Sequence, residues 1–338
     1  MTADGQPIAV TGLGAVSAWG WGVEPLWRGL VSGRTAIGPL RRFAGQGHRT
    51  AVAAEVPSLE EEPSEELARR VPGWADLSLA ERFALAAAWE AVAGAGGLEN
   101  LAAGRPETVG VFFGGSTAGM LEGEEVFAEL PGRPLGRRNL EQLAAQPLDV
   151  PAATVARHLG LGGPVITVSS ACASGTQALG AALDALRSGE VEAALAGGAD
   201  SLCRLTYAGF NALRVVDERP CRPFRAGRQG MSLGEGAGVV VLEPEERARR
   251  RGAPVLARLL GVGNSCDAHH MTAPHPEGLG AALALERALR DAGHEGGGAQ
   301  AVAFVNAHGT GTPMNDLSEW RGMTRVFGAE AGEIPLTA

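Results

Sequence analysis

Cys172 lies in Pro164 to Asp200, a segment that reads PVITVSSACASGTQALGAALDALRSGEVEAALAGGAD. Val165 to Val168 has the composition of a buried strand, while Leu179, Leu183 and Leu186 recur at helical spacing up to a Gly189 stop. Cys172 is therefore expected at the turn where a helix begins. Backbone N–H groups without intrahelical partners converge at such a turn, and the helix dipole adds partial positive charge, so a thiolate is favoured over a thiol. Ala171, Ala173, Ser174 and Gly175 are small enough to let an acyl group approach. The layout has the logic of the strained elbow that presents a nucleophilic serine in hydrolases. The competing reading is a small buried hydrophobe, the usual fate of a cysteine outside a disulfide.

His308 is a second chemical candidate. It follows the apolar run Val302 to Asn306 and opens a Gly-Thr-Gly-Thr loop, which sets an imidazole at a strand terminus facing a cavity. Asp316 and Glu319 stand just downstream, where acids at a helix N-terminus are favoured by the helix dipole. His269, His270 and His275 lack a cysteine or carboxylate at ligand spacing, so no metal site is expected. Cys172, Cys203, Cys221 and Cys266 are far apart with no C-x-x-C pair, which leaves reduced thiols as the expectation.

The elements that must carry these residues read as an α/β alternation with buried, largely parallel strands. Candidate strands are Ile8 to Thr11, Thr108 to Phe113, Val165 to Val168, Ala193 to Ala196, Val239 to Leu242 and Val302 to Asn306. A helix starts at Ser78, where Ser78 and Glu81 fit a capping box, and runs through Phe83, Ala87 and Val92 to the Gly94 to Gly97 cluster. Arg133 to Leu148 and the acidic Pro57 to Pro63 stretch read as surface connections. Strand, glycine turn and acidic helix occur at Val109 to Glu125 and again at Val302 to Glu319, an echo that divides the chain into related halves. The halves are placed at 1–253 and 254–338, joined by a charged helix over Glu245 to Arg251.

The chain has 338 residues, 45% of them hydrophobic, enough to bury one large core or two fused ones. Its formal charge of −9 and pI near 5.4 argue against a broad nucleic-acid surface. All 29 basic residues are arginine, so a phosphate loop of the G-x-x-x-x-G-K-[ST] form is impossible. The N-terminus shows no basic segment followed by an apolar stretch, and no later run is long and apolar enough to span a bilayer, so a cytoplasmic protein is expected, with no membrane partner.

Five ordered blocks resemble the β-ketoacyl-(acyl carrier protein) synthases. They are V-T-G-L-G-A-V-S at Val10 to Ser17, A-C-A-S-G-T at Ala171 to Thr176 followed by A-G-G-A-D at Ala196 to Asp200, R-P-F-x-x-x-R-x-G-x-x-x-G-E-G-A-G at Arg222 to Gly238, H-M-T-A-P at His270 to Pro274, and H-G-T-G-T-P-x-N-D-x-x-E at His308 to Glu319. The likeness spans essentially the whole chain. It implies the thiolase-like fold, two pseudo-repeated halves in a five-layer αβαβα sandwich, which fits the internal echo.

The resemblance further implies a ping-pong condensation. Cys172 would take an acyl group from its carrier, and malonyl carried on acyl carrier protein (ACP) would then lose carbon dioxide and attack that group. His308 would be one of two histidines that serve the malonyl thioester. Asp316 and Glu319 match acidic positions that organise the site, and Thr272, Thr310 and Thr312 match hydroxyls that line the pantetheine tunnel, where loop capping is the alternative role. No cofactor is implied beyond the phosphopantetheine arm of ACP. An acidic ACP calls for a local basic surface, for which Arg69, Arg70, Arg137 and Arg138 are the candidates. A homodimer, or a heterodimer with a related ketosynthase subunit, is also implied.

Two departures stand out. Arg225 and Gln229 occupy places where the family pattern has Asp, so the local charge network must differ. Beyond Ala338 the pattern would continue into a T-K segment, a G-H segment with the second histidine and a G-F-G-G loop, so the second half is expected to be incomplete, with an open sheet edge. The leading reading is a condensing enzyme of fatty-acid, aryl-polyene or polyketide synthesis. The alternatives are a non-catalytic partner resembling a chain-length factor, or an inactive fragment. The Cys172 thiol weighs against the partner, and the H-G-T-G-T-P block weighs against a thiolase acting on coenzyme A esters.

Overall fold

The computed structural model describes residues 7–45, 47–57, 67, 69–129, 134–294 and 298–338. The chain forms two compact units that are discontinuous in sequence. The first gathers 1–43, 54–207 and 234–259, and the second gathers 44–53, 208–233 and 260–338.

A mixed sheet of seven strands organises the first unit. Its strands are β1 (Ile8–Ser17), β2 (Gly20–Trp21), β3 (Val109–Gly114), β4 (Val165–Val168), β5 (Ala193–Asp200), β6 (Gly236–Pro244) and β7 (Ala257–Leu259). They lie in the order β2-β1-β6-β5-β3-β4, with β7 also on β1. Within this sheet the expectation of largely parallel strands holds for β3, β4 and β5, whereas β6 runs antiparallel to both β5 and β1. The reason is that strands covered on both faces read as continuous apolar runs whatever their direction, so hydrophobicity carries no sign for the chain sense. β1 also extends six residues past the predicted Thr11. The strand expected to be buried at Val165 to Val168 forms as β4 but at the sheet edge, with Val165 and Ile166 exposed, because an apolar run marks a strand without saying whether both its edges are covered.

The helix predicted from Ser78 is α1 (Leu79–Gly94), and its capping box forms: Ser78 Oγ accepts the Glu81 N–H while the Glu81 carboxylate accepts the Ser78 N–H. Ten of its residues are buried, so it is a core helix with no solvent stripe. Gly12 and Gly14 explain how close it comes to β1. A Cβ at Gly12 would sit 1.9 Å from the Ala91 carbonyl oxygen, and one at Gly14 1.8 Å from that of Ala87. Phe83, Leu85, Val111, Phe113, Leu195 and Val241 fill the core around this contact.

Arg133 to Leu148 departs from its reading as a plain connection, because α2 (Arg137–Ala144) occupies its middle. α2 has no buried residue, and its two leucines, Leu140 and Leu143, are too few in eight residues to mark a helix against so polar a background. Of the acidic Pro57 to Pro63 stretch, all but Pro57 lies outside the described residues. Among the other helices of this unit are α3 (Val150–Leu159) and α4 (Ser174–Ser188), the latter closed by Gly189 in the left-handed conformation.

In the second unit α5 (Leu279–Asp291) packs on α6 (Pro313–Phe327), and β8 (Val305–Asn306) pairs in parallel with β9 (Leu336–Thr337). The predicted strand Val302 to Asn306 is thus reduced to two residues, preceded by a short 3-10 turn at Ala299–Ala301. Met323, Phe327, Ala331 and Ile334 form its small core, against Leu285, Leu289 and Val305.

Candidate active site

Cys172 occupies the link between β4 and α4 and is exposed. The preceding residue, Ala171, has φ of 50°, a left-handed conformation that costs a residue with a Cβ on the order of 1–2 kcal/mol. Ser170 and Cys172 are bridged across it, and the N–H groups of Ala173 and Ser174 donate to the carbonyls of Ser170 and Ala171 at 3.2 and 3.1 Å. The Ser174 hydroxyl accepts the Ser170 N–H at 2.8 Å and donates to the Ala171 carbonyl at 2.6 Å. A tight elbow therefore presents the thiol at the start of a fifteen-residue helix.

Glycines beneath the elbow set its height. A Cβ on Gly114, the last residue of β3, would lie 2.3 Å from the Ser174 carbonyl carbon, so α4 rests directly on the strand backbone. In the A-G-G-A-D block, a Cβ on Gly198 would meet the Gly114 carbonyl oxygen at 2.4 Å, and one on Gly197 that of Gly238 at 1.9 Å. Asp200 then clamps the turn after β3, accepting the N–H groups of Ser116 and Thr117 at 2.8 and 2.7 Å and the Thr117 hydroxyl at 3.0 Å. The other thiols have different settings. Cys203 is 1% exposed and burial pushes its thiol up, while Cys221 is half-buried and Cys266 exposed.

The second unit holds His308, Asp316, Glu319, Thr310 and Thr312 together. His308 is exposed, two residues past β8. Its backbone N–H donates to Glu319 at 2.6 Å, and the Gly309 N–H donates to the other oxygen of the same carboxylate at 2.9 Å. Asp316 is 2% exposed and accepts the N–H groups of Gly311 at 3.0 Å and Phe224 at 2.7 Å, with the Arg228 guanidinium 3.0 Å away. Both carboxylates of α6 thus grip the backbone of the His308 loop, and Asp316 also ties it to the R-P-F block. Gly309 and Gly311 take φ of 47° and 76°, which lets that loop fold back tightly.

The threonines divide. Thr312 is the N-cap of α6, accepting the Asn315 N–H at 3.2 Å, and Thr310 lies 2.9 Å from it, hydroxyl to hydroxyl. Capping is therefore one role these hydroxyls fill. Thr272 is exposed, and its N–H donates to His270 Nδ1 at 3.1 Å. His275 Nδ1 accepts the Glu277 N–H, and its ring packs 4.8 Å from that of His269. Among the described residues no group of three or more His, Cys, Asp or Glu could hold a metal ion.

Of the arginine candidates, Arg69, Arg70, Arg137 and Arg138 are all exposed. Arg70 lies over the Trp89 ring at 5.5 Å, and Arg137 pairs with Glu141 one turn on at 2.8 Å. Of the two departures from the family pattern, Gln229 has defined partners. The Gln229 N–H donates to Asp217 at 3.3 Å, and its side-chain oxygen accepts from Arg49 at 3.2 Å. Burial pushes the Asp217 carboxyl up, but the Arg219 N–H and the Arg222 guanidinium outweigh it and hold the group below its ordinary value.

The roles of Ser174, Asp200 and Arg228 had no signal in composition or spacing. Only the blocks that contain them could have marked them for inspection.

Residues 5–248 match the family model described as β-ketoacyl synthase, N-terminal domain, and residues 256–338 match that of the C-terminal domain. The chain belongs to the β-ketoacyl synthase family. Among curated relatives of this family, 3-oxoacyl-[acyl-carrier-protein] synthase 2 of Staphylococcus aureus is 32% identical over 341 residues, covering 98% of this chain and 79% of the relative. Among solved structures, the ishigamide ketosynthase/chain length factor superposes with a TM-score of 0.87 at 35% identity, over 98% of this chain and 79% of the other. A type II polyketide acyl-carrier protein in complex with its ketosynthase, bound to the hexaketide, superposes with a TM-score of 0.84 at 27% identity, covering 98% and 80%. The α/β fold is thus that of the ketosynthases, a thiolase-like architecture. No helix among the described residues is long and apolar enough to cross a membrane.

Proposed function

We propose that this member of the family is a 3-oxoacyl-ACP synthase, an acyltransferase that condenses a Cys172-bound acyl group with malonyl-ACP. The supporting observation is the exposed thiol of Cys172 on a strained elbow at the start of α4. Cys172 thiolate adds to the thioester carbonyl of acyl-ACP, and the tetrahedral adduct expels the pantetheine thiolate, leaving an acyl-enzyme. Malonyl-ACP then loses carbon dioxide. The resulting enolate carbon bonds to the acyl carbonyl, and the Cys172 thiolate departs, leaving β-ketoacyl-ACP. His308, held through its backbone by Glu319, is placed in the role of donor to the malonyl thioester oxygen, with Asp316 and Glu319 as the residues that shape its loop.

A chain-length-factor role is the weaker reading, because a non-catalytic partner has no use for a thiol in this setting. ACP is the protein partner we assign, with Arg69, Arg70, Arg137 and Arg138 as its docking candidates and Thr272, Thr310 and Thr312 as pantetheine contacts. No cofactor and no metal is assigned. The edge strand β4 supports pairing with a second ketosynthase-type chain. Among the described residues it pairs with β3 alone, and it exposes Val165 and Ile166 at 43% and 40%.

The test is transfer of an acyl group from acyl-ACP, read by intact mass and peptide mapping. The acyl mass is expected on Cys172 and nowhere in Cys172→Ala. Acylation spread equally over Cys172, Cys221 and Cys266 would defeat the proposal.

A further inference from the structure

The nucleophile's position depends on a residue to which the condensation chemistry assigns no part. Ser174 is 4% exposed, and its hydroxyl sits inside the elbow. It takes the Ser170 N–H at 2.8 Å and gives its proton to the Ala171 carbonyl at 2.6 Å. These two groups are the N–H of the residue before Ala171 and the carbonyl of Ala171 itself, so they bracket the Ser170–Ala171 pair that contains the residue held at φ 50°. One hydroxyl therefore staples both ends of the strained unit on which Cys172 rides. A left-handed alanine persists only where its surroundings over-determine it, and here the hydroxyl supplies that constraint together with the packing of α4 on Gly114.

We infer that Ser174 is a positioning residue for the Cys172 thiol, locking the elbow so that the sulfur faces an incoming thioester. The inference rests on Cys172 being the acyl-carrying nucleophile. Without the hydroxyl, Ala171 is held at φ 50° by packing alone and relaxes part of the time toward ordinary backbone. The sulfur then spends part of its time away from the helix N-terminus. Misplacement of a reacting atom by about 1 Å can cost on the order of a hundredfold in rate. Loss of one hydrogen-bonded brace is expected to cost less than that full penalty.

The test is a pH–rate profile of carbamidomethylation by iodoacetamide, resolved by peptide mass spectrometry for Cys172 and Cys266 in the same full-length sample. In the parent protein Cys172 should outrun Cys266. Ser174→Ala should slow Cys172 about tenfold near neutral pH and move its half-maximal rate to higher pH, with Cys266 within about twofold of the parent. Ser174→Thr, which keeps the hydroxyl, should stay within about threefold of the parent. An unchanged Cys172 profile in Ser174→Ala, beside a fast parent thiol, overturns the positioning role and leaves the nucleophile intact. A parent Cys172 no faster than Cys266 overturns both.

Should Ser174→Ala fail to fold, the parent protein still gives an answer through amide hydrogen exchange. Ser170 is an exposed residue, yet its N–H should exchange slowly because the Ser174 hydroxyl accepts it. Fast exchange at Ser170 overturns the inference.

Discussion

The two loops that carry the candidate chemistry are held in opposite ways. The Cys172 elbow is braced by a hydroxyl, a left-handed alanine and glycines pressed against α4, with no ionised group among these braces. The His308 loop is gripped by two carboxylates, Asp316 and Glu319, one of them buried beside Arg228. A nucleophile that must change charge during each turnover gains from a brace that is neutral, because a nearby carboxylate would oppose the thiolate. A loop that only has to hold a histidine can use charge-assisted hydrogen bonds, which are shorter and stronger than neutral ones.

The largest effect expected on this contrast is at the nucleophile itself. Cys172→Ala should abolish acyl transfer from acyl-ACP while leaving the thermal transition within a few degrees of the parent, since an exposed side chain contributes little packing. Retained acyl-enzyme in that variant would break the contrast at its root.

Asp316→Ala comes next. It leaves the Arg228 guanidinium and the N–H groups of Gly311 and Phe224 without their acceptor, and should cost about 3 kcal/mol in denaturant unfolding, against about 1 kcal/mol for Asp316→Asn. A loss below about 0.5 kcal/mol for the alanine variant would mean that the carboxylate grip is dispensable.

Gly114→Ala probes the neutral side. Its Cβ would stand 2.3 Å from the Ser174 carbonyl carbon, so α4 must move, at a cost of about 1–3 kcal/mol, and Cys172 labelling should slow with it. Lowered stability with labelling unchanged would separate the packing from the presentation of the thiol.

The smallest effect serves as a baseline at an ion pair that belongs to neither loop. Glu245 is lowered to about 2, first by its hydrogen bond to Arg258 and then by that to Arg249, with burial opposing. A carboxyl with a depressed folded value adds stability that is fully present above its unfolded value near 4.5 and is lost as pH falls toward about 2. Glu245→Gln should therefore narrow the stability difference between pH 5 and pH 2 in urea titrations. An identical slope in parent and variant would remove this pair from the acid response.

Much of the fold was legible because local rules and burial agreed. Ser78 and Glu81 announced the start of α1, Gly189 the end of α4, and the apolar runs the positions of β3 and β5, while the run at β4 gave its place but not its exposure at the sheet edge. The sense of β6 was not legible, since a strand covered on both faces looks the same in either direction. Nor was α2, where Leu140 and Leu143 alone repeat at helical spacing in a short, polar stretch that buries nothing.

The sequence by itself determined the chemistry on offer: a cysteine among small residues at a strand-to-helix turn, and a histidine ahead of a glycine-threonine loop with two acids behind it. Tertiary structure alone decided how each is held. Ser174 and Ala171 are neighbours whose spacing says nothing of a positive φ, and Arg228 meets Asp316 across 88 positions of chain, a pairing that no local pattern encodes. Short-range propensity is written in residue type and period. Backbone strain and long-range ion pairs exist only once packing has brought the groups together and taken water away.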